Sequence, residues 1–404
     1  MAYGSLAKLF YEMPQQYENI YQMRYSDSNT IHLNFQIHES PAFLCQNVEI
    51  YKYLLEIQKI NGRIRQVRQD LPGVAIQQFA RRCLIDEIVI TNDIEGVNST
   101  RREIHAVLDK AEDHKTKIRF EGQVQKYLML QSAQDIPLKT CQDIRNLYND
   151  LVLSEVQQED AENVPDGKYF RKSSVSVTNS SQREIHRGVY PEGSIISCMD
   201  AALTFLNDSQ WESLLRISAF HYLFGYIHPF YDGNGRLSRF ISSYLLSQQL
   251  DSLIGYRLSY TIKEHIKDYY DAFKVVNDIH NRGDITPFVV TFLKIIQESM
   301  LQLESALERR SKNLALYKSI LEQNQILQQE EYHPIAYLLL QAGLFSEDGI
   351  STSDLLQYAH CSPVTLRKRL TVLMEHHYAL VKKHGRTKFY RLNFDAFPNP
   401  TTDQ

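Results

Sequence analysis

The sequence predicts a mainly α protein of several domains, and three observations carry that expectation. Apolar residues recur at three- and four-residue spacing through 48–65 and 73–94, as in amphipathic helices. Three later segments, at about 194–207, 211–227 and 235–250, are strongly apolar, as helices at the centre of an all-α domain are. One stretch, 167–193, loses the helical period, alternates Val175 with Val177 among many Ser and Arg, and reads as a β-hairpin. The length of 404 residues points to two or three domains at a soft prior of ~150 residues each.

Up to about residue 45 the periodicity is weak, and the whole region 1–112 is expected to be helical. The helix over 73–94 should close at Gly96, a good C-cap residue, and Thr100 with Glu103 forms a capping box that opens the next helix after a turn at 96–99. Helical patterns resume over 115–157 and continue on the far side of the hairpin, giving a central domain over 113–295. From Pro287 to Pro334 there is neither Gly nor another Pro, and Met300, Leu307, Leu314 and Leu321 recur every seven residues. This predicts a long connecting helix over 296–333, with room for one break. The last domain, 334–404, reads as a helix to Phe345, a short helix over 351–359, a helix over 363–377 and a β-like pair. That order is a winged helix-turn-helix with 363–377 as its recognition helix.

Composition narrows the function classes. An apolar fraction of 43%, a charged fraction of 23% and a mean hydropathy of −0.37 exclude collagen, a coiled-coil rod and low-complexity chains. No stretch approaches the ~18 consecutive apolar residues of a membrane span, so no membrane partner is expected. The N-terminal segment meets Glu12 before any apolar run reaches signal-peptide length, and the chain reads as cytoplasmic. Its five cysteines are odd in number, scattered and never paired as CxxC, which fits reduced core residues and neither a disulfide frame nor a zinc site. The net charge is −4, yet 362–391 holds eight bases against the single acid Glu375, a local +7.

The chemistry concentrates in IHPFYDGNGRLSRF, 227–240. It is neither a P-loop nor a dinucleotide fingerprint, and HExxH and CxxC are absent. A glycine-flanked loop running into a helix N-terminus gathers unpaired backbone N–H groups and the positive end of the helix dipole, which makes an anion site, with phosphate the obvious anion. Arg236 and Arg239, three apart near that start, carry positive charge where it is unfavourable unless something negative sits there. Asp232 would be repelled by phosphate unless a hard divalent cation lies between them, and Mg²⁺ characteristically takes one carboxylate plus substrate phosphates. His228 has the near-neutral pKa suited to removing a hydroxyl proton, whereas His221 reads as a packed structural histidine. Glu95 stands at a helix C-terminus beside Asp93, where the dipole disfavours an acid by ~0.3–1 kcal/mol, and so calls for a charged partner.

The segment matches HPFx[D/E]GNGRxxR at every defined position, and on it the chain resembles the Fic family. The resemblance covers about 80–295, a Fic domain preceded by an inhibitory helix at about 75–96. It implies transfer of AMP from ATP to a Tyr, Thr or Ser hydroxyl of a target protein. Carried over by position, His228 would be the general base and Asp232 would hold Mg²⁺, with Mn²⁺ as a substitute. Gly233, Asn234 and Gly235 would form the anion nest, with Arg236 and Arg239 on the polyphosphate. Pro229 and Phe230 look structural. Tyr269, Tyr270 and Asn277 stand where similar proteins line the adenine and ribose pocket, although aromatic core positions on an amphipathic helix explain them equally well. The hairpin at 172–193 resembles the family's flap, which would take the target's backbone as an added strand. The segment TNDIEG, 91–96, fits the inhibitory pattern [S/T]xxxE[G/N], which supplies Arg239 as the partner of Glu95.

The basic C-terminal domain has two readings. It is a DNA-binding module using 363–391, with phosphate contacts from Lys382, Lys383 and Arg386 and base contacts from 363–369, or it is a protein-contact or dimerisation module that would give a homo-oligomer. For the chain as a whole, the alternatives to an autoinhibited adenylyltransferase are a nucleotide-sensing DNA-binding regulator and an enzyme that removes AMP with the help of Glu95.

Overall fold

The computed structural model describes residues 3–110, 119–132, 134–178, 184–384 and 387–397. The chain is mainly helical and forms two compact units, one of residues 1–61 with 86–301, the other of 62–85 with 302–404. Two expected boundaries therefore move. The division at 295/296 falls inside a single helix of 38 residues, Thr286–Gln323, and the one break the sequence allowed comes after it, in the turns over 324–332 that precede the helix His333–Phe345. Residues 62–85, expected within the N-terminal region, group with the C-terminal ones.

In the first unit two helices, Leu6–Glu12 and Pro14–Tyr25, precede an antiparallel hairpin of Thr30–Ile37 with Ser40–Cys45, paired from Thr30 opposite Cys45 to Ile37 opposite Ser40. This corrects the expectation that the whole region 1–112 is helical. The strand has period two, with Ile31, Leu33, Phe35 and Ile37 buried and His32, Asn34 and Gln36 exposed. The hairpin is tied to the segment before the long helix, since the Phe43 N–H donates to the Gly283 carbonyl at 3.0 Å and the Ile285 N–H donates to that of Phe43 at 2.9 Å. Between these bonds the buried Asp284 accepts from the Tyr3 hydroxyl at 2.6 Å and pairs with Arg24 at 3.3 Å.

The helix Gly73–Ile94 ends as its sequence dictates. Gly96 takes φ of 74° and the Val97 N–H reaches back to the Asn92 carbonyl at 2.9 Å, a Schellman closure. Thr100 and Glu103 then exchange bonds of 2.8 and 3.2 Å as the helix Arg101–Lys110 begins. The centre of the unit is the trio Glu192–Asn207, Ser213–Ile227 and Asn234–Gln249, with the middle helix buried on nearly every side. Ahead of it, short strands Ser176–Thr178 and Glu184–Arg187 pair antiparallel, and 179–183 lie outside the described residues.

In the second unit Met300's heptad partners Leu307, Leu314 and Leu321 are buried along the long helix. The helices His333–Phe345, Thr352–Ala359 and Pro363–Glu375 accompany an antiparallel sheet in which Thr387–Leu392 lies between Ile350–Ser351 and Ala379–His384. Ser351 and Ser362 cap the second and third of these helices through bonds of 3.0 and 3.1 Å. Cys45, Cys83 and Cys141 are buried and free of disulfides as expected, but Cys198 and Cys361 are half-buried and do not belong to a core. Among the described residues no helix is long and apolar enough to cross a membrane.

Glu87 docks the last part of the helix Gly73–Ile94, residues 86–94, within the first unit. Its carboxylate, wholly buried, accepts from the Ser259 N–H at 3.0 Å and the Ser259 hydroxyl at 2.5 Å. Burial pushes its pKa up to about 7 against the opposing pull of the Ser259 bonds, Arg239 and Arg257. The folded chain thus keeps a proton that the unfolded chain releases between about pH 4.5 and 7, so stability is lost as pH rises through that window. Glu87→Gln keeps an acceptor for Ser259 and cannot ionise. Its urea midpoint, compared with wild type, should gain from pH 5 to pH 8; a difference independent of pH would show that Glu87 is charged when folded.

Candidate functional site

The helix Ser213–Ile227 stops at His228, which adopts a left-handed backbone of φ 50° and ψ 64° and donates its N–H to the Phe224 carbonyl at 2.9 Å. Such a conformation costs a residue other than glycine about 1 kcal/mol or more and persists only where neighbours enforce it. Phe230, fully buried, stacks on Tyr148 with centroids 3.8 Å apart and so plugs the loop into the core, as the sequence suggested. The Asn234 side chain closes the loop from the other side, accepting from the Phe230 N–H at 2.9 Å and donating to its carbonyl at 2.8 Å. Asn234 is therefore a latch through its amide, and only its backbone N–H is left for an anion nest.

Gly233 makes the turn into the next helix at φ 81°, and the first intrahelical bond runs from the Leu237 N–H to the Gly233 carbonyl at 3.0 Å. The N–H groups of Asn234, Gly235 and Arg236 thus stand ahead of the helical ladder, at the positive end of the dipole. Arg236 is 1% exposed; one Nη donates to Asp232 at 3.2 Å, while its Nε and other Nη are buried without a partner among the described residues. Two buried guanidinium donors with nothing to bind mark a place for an anion. Asp232 is about one-third exposed, and among the described residues no three His, Cys, Asp or Glu side chains cluster as a metal site. The donor set fits a divalent cation only if a ligand's phosphates complete the shell.

Arg239, also 1% exposed, uses its whole fork. Its Nε donates to the Thr91 hydroxyl at 2.8 Å, one Nη to Glu95 Oε1 at 2.8 Å and the other to the Thr91 carbonyl at 2.9 Å. Burial works against its charge, and Glu95 together with Tyr269 and Tyr270 more than offsets it, leaving the pKa raised. The Glu95 carboxylate lies at the start of the Asn234–Gln249 helix: a Cβ on Gly235 would stand 2.1 Å from its Oε1. The acid thus fills space that the helix N-terminus would otherwise offer to an anion.

His228 is held neutral, its pKa drawn down to about 4 by burial first, then by Arg171 and His186. Tyr269 is buried with its hydroxyl 2.8 Å from His221 Nε2, while His221 Nδ1 faces the Ser242 hydroxyl at 2.8 Å. Burial first, then Arg239, draws the pKa of His221 down to about 3, and it is the packed histidine the sequence suggested. Tyr270 is half-exposed, and both tyrosines feel the charges of Arg239 and Glu95. Asn277 is engaged by other partners: its Oδ1 accepts from Tyr222 at 2.8 Å and its carbonyl faces His38 at 2.8 Å. Thr91 is a defined position of the 91–96 pattern but has no role of its own in that reading, and Arg171, in a stretch without periodicity, escaped the sequence analysis.

The Fic/DOC family model matches residues 138–246. The protein adenylyltransferase Fic of Aedes aegypti is 28% identical over 247 residues, 57% of this chain and 45% of that protein. Its counterpart in Drosophila grimshawi is 28% identical over 241 residues with the same coverage. The chain thus spans about half the length of these curated relatives. A crystal structure of a Fic family protein from Desulfovibrio desulfuricans G20 covers 86% of this chain and 97% of its own, at a TM-score of 0.52 and 21% identity, a likeness of fold. The segment from His228 to Arg239 lies inside the residues that the Fic/DOC family model matches.

Proposed function

We propose that the protein is an adenylyltransferase that moves AMP from ATP to a Tyr, Thr or Ser hydroxyl of a target protein, and that Glu95 holds it in check. The observation that carries this reading is the helix start at Gly233–Arg236, with two buried guanidinium donors unspent and a carboxylate resting where an anion would dock. The curated relatives named protein adenylyltransferase support the same chemistry.

In this reading the neutral His228 imidazole takes the proton of the target hydroxyl as its oxygen attacks the α-phosphorus. The bond from that phosphorus to the β-phosphate bridging oxygen breaks, pyrophosphate leaves, and His228 passes the proton to solvent. Arg236 and the N–H groups at the helix start hold phosphate oxygens, and the hairpin at 172–193 presents the target chain. Asp232 would hold Mg²⁺, or Mn²⁺ in its place, together with those oxygens, and the ion would offset the charge that develops on pyrophosphate. Glu95 occupies the Arg239 fork that the outer phosphate needs. Tyr269 and Tyr270 would line the adenine side of the nucleotide; Asn277 would have to leave Tyr222 to join them.

A second reading has its own support in the C-terminal residues. The helix and strand order over 333–392 fits a winged helix-turn-helix, and Arg367, Lys368, Lys383, Lys388 and Arg391 are exposed. Lys382 is instead paired with Asp348 at 2.6 Å, and Arg386 lies outside the described residues. Duplex DNA binding that weakens steeply with salt, without any protein labelling, would favour a nucleotide-sensing regulator. If Glu95 instead serves removal of AMP, its loss slows that reverse reaction.

With α-labelled ATP and full-length protein, Glu95→Gly should raise labelling of itself or of lysate proteins by ~10-fold or more over wild type. Adding His228→Ala to it should cut labelling by ~10²-fold or more while ATP binding by calorimetry persists. Equal labelling by wild type and Glu95→Gly would remove the inhibitory role. In the same active background, Asp232→Ala should move the Mg²⁺ half-saturation upward, with part of the rate restored by excess Mg²⁺ or Mn²⁺. An unchanged metal titration would reduce Asp232 to a loop residue.

A further inference from the structure

Arg171 is fully buried, and its guanidinium donates to backbone carbonyls. Its Nε donates to the His228 carbonyl at 2.9 Å, one Nη to that of Ser173 at 2.7 Å, and the other Nη to that of Val189 at 2.8 Å, with the Ile227 carbonyl at 3.5 Å. A buried guanidinium is costly to desolvate, and an apolar side chain would fill the same volume without that penalty. The contacts show what the charge does. Ile227 and His228 end the Ser213–Ile227 helix, where carbonyls lack intrahelical donors and the dipole is negative. Ser173 and Val189 flank the short hairpin on its two sides. One planar fork therefore joins both legs of the hairpin to the backbone of His228.

The main chain follows the same path. The Arg171 N–H donates to the Pro229 carbonyl and the Val189 N–H to that of Ile227, both at 3.1 Å, while His186 Nε2 lies 2.7 Å from the Tyr226 carbonyl. The fork passes through space left by a glycine, since a Cβ on Gly188 would meet the Arg171 Nη at 2.4 Å and the His228 Cβ at 3.1 Å.

We infer that Arg171 is a positioning residue: by clamping the His228 carbonyl to both legs of the 172–193 hairpin, it fixes the distance between the base and the hydroxyl that the hairpin presents. The inference rests on the transfer reading above. The guanidinium of Arg171 is committed to backbone carbonyls, so its loss should separate turnover from ATP binding. A residue needed only for folding would not.

The test uses the full-length chain in the Glu95→Gly background with two variants, Arg171→Lys, whose single ammonium cannot span carbonyls on both legs, and Gly188→Ala, whose methyl group displaces the fork. Labelling at varied ATP gives kcat and KM, and hydrogen exchange reports the amides of Gly188 and Val189. Each variant should lose ~10²-fold in kcat with KM for ATP about unchanged, and exchange at 188–189 should quicken, because misplacement by ~1 Å costs that much. Wild-type kcat in both variants, or ATP affinity falling in step with kcat, overturns the inference. If the Glu95→Gly parent labels nothing, the transfer reading fails by itself; faster exchange at 188–189 then still supports the clamp, and unchanged exchange overturns it. Should Arg171→Lys not fold, Gly188→Ala decides by the same readouts.

Discussion

The paired bonds between the Asn234 amide and the backbone of Phe230 decide where a helix begins, and the rest of the site is phased from that decision. With the loop closed at 230–234, Gly233 must turn left-handed, Asp232 faces outward, and the first free N–H groups fall at 234–236. Arg236 and Arg239 then share one helix face, three residues apart. Shifting the start by one residue would rotate both arginines by about 100° and scatter the charges. A neutral side chain that contacts no other residue of the group thus sets the register for every charged one.

Arg171, Arg236 and Arg239 are among the largest fully buried side chains of the described residues, and each satisfies its charge differently. Arg171 draws on carbonyl dipoles at a helix end, Arg239 on a carboxylate with a threonine, and Arg236 on one carboxylate with two donors to spare. The three follow an order of commitment. The first belongs to the scaffold, the second is occupied by a partner that could let go, and the third is incomplete. Because burial penalises each cation in the same way, the differences in partners, not in environment, assign their roles.

Much of this was legible in the sequence because it is local. The Gly96 closure, the Thr100–Glu103 box and the segment 227–240 are each written within a few residues, and their geometry follows from spacing alone. The pairing of Glu95 with Arg239 was legible in two halves: an acid misplaced at a helix end, and a family pattern naming its partner. What escaped depends on distant chain. The strand Thr30–Ile37 has a clean period of two, but its neighbours are weakly patterned and its anchor, Phe43 against Gly283 and Ile285, lies some 240 residues away. Asn277 looked like a pocket residue by position and proved engaged by Tyr222, a contact across two helices. Arg171 has no sequence signal, since its partners are carbonyls, which every residue carries. The grouping of 62–85 with the C-terminal residues likewise shows in no local pattern.

The 2.1 Å between Glu95 and the missing Cβ of Gly235 also bears on what an affinity means for this protein. On the proposed reading, carboxylate and incoming anion compete for the same few cubic ångströms, so a measured dissociation constant would combine the intrinsic one with the fraction of molecules in which the tethered acid has stepped aside. A chain that spends most of its time self-liganded will look like a weak binder however well its empty cradle fits. On that reading the helix start is titrated by its own polypeptide, and the free anion concentration would set how often the acid is displaced.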